Sequence, residues 1–183
     1  MEMKKSRVPA FVIIALVALA SAVGSQVAAG AQPGPAARQS AVDRLPFKGT
    51  LEGIHVSRTP VDPPVVFDRF ETHGQATQLG KFDLVIEATV DFAARPVTGV
   101  GTYTFTASNG DRLVADHTGF STLVEPGTVL ITEHATIDPD RSTGRFAGAA
   151  GTLTVERLAD AATGVGGVTA GSFTGQISLP TRS

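Results

Sequence analysis

The sequence predicts an all-β domain of successive antiparallel strands, closed into a barrel in preference to a sandwich, behind an export signal. Three observations predict it. From Leu45 onward, segments rich in Thr, Val, Ile and Phe alternate apolar and polar residues with period two, the pattern of half-buried strands. Short Gly, Pro and Asn clusters punctuate these segments as turns, and no long helical periodicity competes. Composition alone does not separate barrel from sandwich. The glycines at 49, 53, 99, 101, 119 and 175 lie inside the strand segments, where they would weaken flat strands but permit the bending that closes a small barrel.

The chain opens with Lys4, Lys5 and Arg7 ahead of an apolar stretch from Val8 to Ala20, followed by small residues at Ala29, Gly30 and Ala31. This is the layout of a secretory signal, cleaved after Ala31 or alternatively after Ala22. The apolar run is short of the roughly 20 residues a spanning helix needs, so the mature chain is expected to be secreted or periplasmic with no membrane anchor. Residues 32–44 are rich in Ala, Pro, Gly and Gln, a flexible linker, and the barrel domain is expected over 45–180. Losing residues 1–31 shifts the formal charge from −2 to about −4. That balance, with scattered arginines, argues against nucleic acid as a partner. The chain has no cysteine, so neither disulfides nor thiol chemistry is available.

Phe47–Val56 reads as a first strand, and the prolines at 60, 63 and 64 then mark an extended connection or an edge segment. In Lys81–Phe92 the residues Phe82, Leu84, Ile86, Ala88, Val90 and Phe92 share one face, with Asp83, Glu87, Thr89 and Asp91 on the other. Arg95-Pro96 ends that run, and Val97–Ala107 repeats the alternation. Asn109-Gly110 predicts a type I′ hairpin into Leu113–Val124. Pro126-Gly127 predicts a type II turn into Thr128–Ile137. The last strands are expected at Gly151–Leu158 and Gly171–Leu179, for seven or eight strands in all.

Catalytic motifs are missing: there is no nucleophile elbow, zinc-binding histidine pair, Walker loop or dinucleotide fingerprint. Asp138-x-Asp140-x-Ser142-x-Gly144 echoes a calcium loop, but Ala149 stands where the bidentate carboxylate belongs, so an ordinary turn is expected. His55, His73, His117 and His134 form no short-range ligand pair, and no metal or cofactor is expected. The better clue is polar residues interrupting apolar faces. Glu133 shares its face with Val129, Ile131 and Ala135, His117 with Leu113 and Ala115, Arg157 with Leu153 and Val155, and Tyr103 lies between Gly101 and Phe105. If apolar faces point inward, these four enter the lumen. There Glu133 needs Arg157, His117 or Tyr103 as partner, in either a structural network or an acid/base site.

The segments GQATQLGKF at 74–82, SNGDRL at 108–113 and above all STGRFAGAAG at 142–151 resemble the allene oxide cyclase-like and dirigent-like barrels, especially their small exported bacterial members. The resemblance covers roughly residues 45–180. It implies an eight-stranded antiparallel barrel with a central cavity, often assembled as a homotrimer. Members include cyclases and proteins that steer the coupling of reactive intermediates, beside bacterial members without an assigned activity. The catalytic carboxylate of the plant cyclases has no match here, and Gln78 stands where bacterial relatives often carry His. The matching Gly144, Arg145, Phe146 and Gly148 carry architectural roles: a tight turn, a barrel plug, and an arginine reaching strand-end carbonyls or a carboxylate. Two functions follow as expectations. One is an exported barrel binding a small apolar ligand or a partner. The other is a cofactor-free isomerase or cyclase, with Glu133 as base or electrostatic stabiliser, Arg157 as its partner, and Tyr103 and His117 positioning substrate oxygens.

Overall fold

A computed structural model describes residues 43–180. The expected signal and the linker up to residue 42 lie outside the described residues. Eight strands form one closed antiparallel barrel in sequence order: β1 (Leu45–Asp62), β2 (Val65–Ala76), β3 (Gly80–Asp91), β4 (Val97–Ala107), β5 (Arg112–Glu125), β6 (Thr128–Ile137), β7 (Ala150–Asp160) and β8 (Val168–Ser178). The ladder β1–β8, running from Leu45↔Ile177 to Ile54↔Val168, closes the sheet and leaves no long unpaired edge. Every connection is a hairpin or a short loop, because antiparallel neighbours need no crossover.

Alternation places the core. Phe82, Leu84, Ile86 and Ala88 of β3 are buried, as are Tyr103 and Phe105 of β4. Gly101 on β4 is required by close approach, since a Cβ there would overlap the carbonyl oxygen of Glu87 on β3. One end of the barrel is filled. Phe47, Phe82, Phe105 and Phe173 pack ring against ring at centroid separations of 5.0–6.1 Å. Phe146, on a single 3₁₀ turn (Gly144–Phe146) in the β6–β7 loop, is fully buried with them. Gly144 adopts φ 61°, and a Cβ there would also strike the Asp111 carboxylate. Arg145 donates to the Leu79 carbonyl at 3.0 Å, tying this loop to the β2–β3 turn.

Some local expectations are corrected. β1 runs past its expected end at Val56 to Asp62, and its proline-bearing last residues form an edge segment, one of the two expected forms, pairing only with β2 across irregularities at His55/Ser57 and Pro60/Asp62. Proline is tolerated there because that stretch lies beyond the β8 partner and is an edge. β2 is a strand beyond those expected from the sequence. Its inward positions mix Asp68, Thr72 and Gly74 with Phe70 and Ala76, so the apolar alternation is interrupted. The β4–β5 turn is not type I′. Gly110 has φ 86° but Asn109 does not take positive φ, and Ala107 N–H bonds to Asp111 O across a three-residue loop, the alternative hairpin with one left-handed glycine. Gly127 does take the positive φ, 83°, that Pro126-Gly127 implies. Asp138 accepts from the Asp140 and Arg141 N–H groups and from the Arg141 side chain, an ordinary turn.

Candidate functional site: a buried ion pair beneath an apolar mouth

Period-two geometry sends Tyr103, His117, Glu133 and Arg157 to the lumen from four consecutive strands, β4 to β7, and all four are no more than 3 % exposed. Glu133 is the centre. Its Oε2 accepts from Tyr103 Oη at 2.5 Å and from Arg157 Nε at 3.0 Å, while Oε1 accepts from Arg157 Nη2 at 3.2 Å. Arg157 Nη1 donates to Thr169 Oγ1, whose hydroxyl passes on to the Leu158 carbonyl. The Arg157 guanidinium also lies 4.5 Å from the centre of the Phe70 ring. His117 stacks on Tyr103 at 4.3 Å and brings Nδ1 to 3.6 Å from Glu133 Oε1, too long for a hydrogen bond. Both its ring nitrogens are buried without a hydrogen-bond partner among the described residues.

The electrostatics follow from burial and pairing. Burial pushes the Glu133 carboxyl up, but the Arg157 charge and hydrogen bonds, helped by His117 and Tyr103, outweigh it and hold the group below the ordinary range. Burial holds His117 below its ordinary value, against the attraction of Glu133. Burial and the adjacent carboxylate push the Tyr103 phenol well up, so it donates and stays protonated. Glu133 is therefore an ionised, well-satisfied carboxylate and a weak base.

Towards the other end of the barrel the lumen opens. A cavity of about 160 Å³ is bordered by Glu133 and Arg157, by Ala88, Val90, Val129 and Ile131, and by the loops that end β3 and β7. Tyr103 and His117 are not on its wall; they lie behind the ion pair. The structure thus brings together all four residues singled out in the sequence and exposes two of them to the cavity.

A second polar cluster, not anticipated from the sequence, sits at the mouth. Asp68 of β2 is buried and receives a two-pronged contact from Arg58, Nε to Oδ1 and Nη2 to Oδ2, each at 2.7 Å. His55 Nε2 lies 3.3 Å from Asp68 Oδ1 and 2.9 Å from the Ser57 carbonyl oxygen, and its ring stacks on Phe70 at 4.5 Å. Arg58 in turn covers the Phe92 ring at 4.8 Å. The sequence signal that points to it is the inward phase shared by Asp68, Phe70 and Thr72.

Fold and site together define a small closed β-barrel, plugged at one end and carrying a polar-floored cavity at the other. No family model matches the chain, and no curated protein or solved structure matches it either. Among the described residues no helix is long and apolar enough to cross a membrane.

Proposed function

We propose that this is an exported barrel protein that binds a small, mainly apolar molecule in its open mouth. One observation carries the reading: an aliphatic-walled cavity of about 160 Å³ whose floor is a satisfied ion pair. Such a concave apolar site with a few convergent polar groups is the usual form of a small-molecule site. The export signal read from residues 1–31 supplies the compartment. The eight-stranded meander agrees with the resemblance to allene oxide cyclase-like and dirigent-like barrels, which belongs to the same proposal. Xenon tests it with a probe that needs only apolar space. Under xenon pressure, backbone NMR shifts should concentrate on Ala88, Gly99 and Ile131; shifts absent there would end the reading.

The second reading, a cofactor-free isomerase or cyclase, rests on the position of Glu133 at the cavity wall. With its carboxyl held down by Arg157, Glu133 would act there as a fixed negative charge and not as a proton acceptor. This reading requires a turnover that Glu133→Gln removes at temperatures where the variant remains folded. A homotrimer belongs to the same resemblance. Ile54 pairs with Val168, and Leu130 with Leu158, on the outer wall, where Ile54, Val168 and Leu158 are all exposed. Sedimentation showing only monomer at micromolar concentration would remove the trimer.

A further inference from the structure

Resting on the binding reading above, we propose that the cavity takes a short aliphatic molecule whose polar end is a neutral hydroxyl and not a carboxylate, and that Gly99 sets its depth. Charge is the first argument. The two arginines bordering the cavity are matched one to one by carboxylates of the protein: Arg157 by Glu133 and Arg58 by Asp68. His55 on the same wall turns its Nε2 to Asp68 and the Ser57 carbonyl, and the remaining charged residue is Asp160, whose carboxylate is bonded to the Thr163 N–H and hydroxyl. An anionic ligand would enter beside these carboxylates with no unmatched cation to receive it, and a buried unpaired charge is strongly disfavoured. A hydroxyl fits because it can donate: Glu133 Oε1 accepts one hydrogen bond, and a carboxylate oxygen has room for two.

The apolar wall supplies the second argument. The Phe70 ring is already stacked with His55 and covered by Arg157, and the Phe92 ring is covered by Arg58. Phe120 lies in the outward phase of β5, between half-buried Gly119 and Ser121. The surface left for a ligand is mainly aliphatic, from Ala88, Val90, Val97, Val129 and Ile131, with the Ser121 side chain and bare backbone beside them.

That bare backbone is the third argument. One row across the sheet reads Val90↔Gly99↔Gly119↔Glu133, so two adjacent inward positions next to the ion pair carry no side chain. Gly119 is forced, because a Cβ there would come within 2.6 Å of both the Thr132 carbonyl oxygen and the Glu133 side chain. Gly99 is not. A Cβ there meets nothing closer than 3.6 Å, and its φ is not in the left-handed region. Its missing side chain serves the cavity and no backbone constraint. A larger residue at 99 would grow into the space that leads to Glu133.

The test is an NMR titration of the protein with 1-hexanol and with hexanoate near neutral pH. Six-carbon probes suit the size, since an apolar cavity of about 150 Å³ holds a benzene ring. Hexanol should shift the amides of Gly99 and Gly119 and bind at least about tenfold more tightly than hexanoate, a difference of about 1.4 kcal/mol. Gly99→Val should weaken hexanol at least about tenfold while keeping the thermal midpoint, since valine suits a strand; Gly99→Ala, with a smaller loss, serves if the valine variant does not fold. Glu133→Gln leaves Arg157 unmatched and should narrow or reverse the preference. Hexanoate binding as tightly as hexanol, or hexanol binding indifferent to residue 99, would overturn the proposal. Xenon binding without hexanol binding would overturn this inference alone. Failure of both probes would remove the binding reading beneath it.

Discussion

Arg157 holds its charge almost wholly buried at the cavity floor, and the residues around it answer that requirement. Glu133 supplies the counter-charge, Thr169 takes a third N–H, and Tyr103 fills the carboxylate's remaining site on Oε2. Removing one partner of such a pair strands the other, so Glu133→Gln should lower unfolding stability by about 3–5 kcal/mol, measurable by urea denaturation. Replacing both, as in Glu133→Leu with Arg157→Met, should recover most of that loss, because a packed apolar pair needs no desolvation. The glycines provide a paired test. Gly101→Ala should abolish folding through its overlap with Glu87, whereas Gly99→Ala should be tolerated or mildly stabilising; far-UV circular dichroism and thermal melts compare them. These four polar residues were legible because each breaks an apolar phase. Their distances were not, and neither was the cavity that reaches Glu133 and Arg157 but misses Tyr103 and His117.

The β6–β7 loop shows how a connection can behave as core. Ser142 is buried, accepts from the Val114 N–H and donates to the Asp138 carbonyl, so the loop adds a partner to β5 while delivering Phe146 into the barrel end. Phe146→Ala should cost about 3–5 kcal/mol, the range for truncating a buried aromatic, seen as a lower denaturant midpoint. The glycines of the Gly-Arg-Phe-Ala-Gly segment mark a turn in the sequence, whereas a plugging role for Phe146 was implied only by the family resemblance. β2 shows the opposite case. Its inward face carries Asp68 because the mouth needs a carboxylate for Arg58, and Gly74 because the strands approach closely beside the plug, where a Cβ would overlap the Thr50 carbonyl oxygen. Those needs interrupt the apolar alternation by which a strand is recognised, leaving Phe70 and Ala76 as its inward apolar residues.

Closure couples the whole barrel to the ionisation of its lumen. Glu133 titrates below its ordinary value of 4.5 and His117 below its ordinary 6.5. As pH falls, the unfolded chain takes up each proton before the folded one does, so both contributions are complete above about pH 6.5 and are lost on acidification. Unfolding stability should decline first through the His117 step and again below about pH 4.5. His117→Phe, which keeps a ring on Tyr103, should flatten the upper step in denaturant titrations across that range; an unchanged pH profile would count against it. Period-two alternation and turn chemistry determined the all-β class, most strand positions and the inward phase of the four lumen residues, because these depend on neighbours along the chain. Strand register, the plug at one end, the Arg58–Asp68 mouth and the open space beside Gly99 were decided only by tertiary structure. They depend on which residues face each other across a closed sheet, and a one-dimensional pattern carries no measure of the volume left between them.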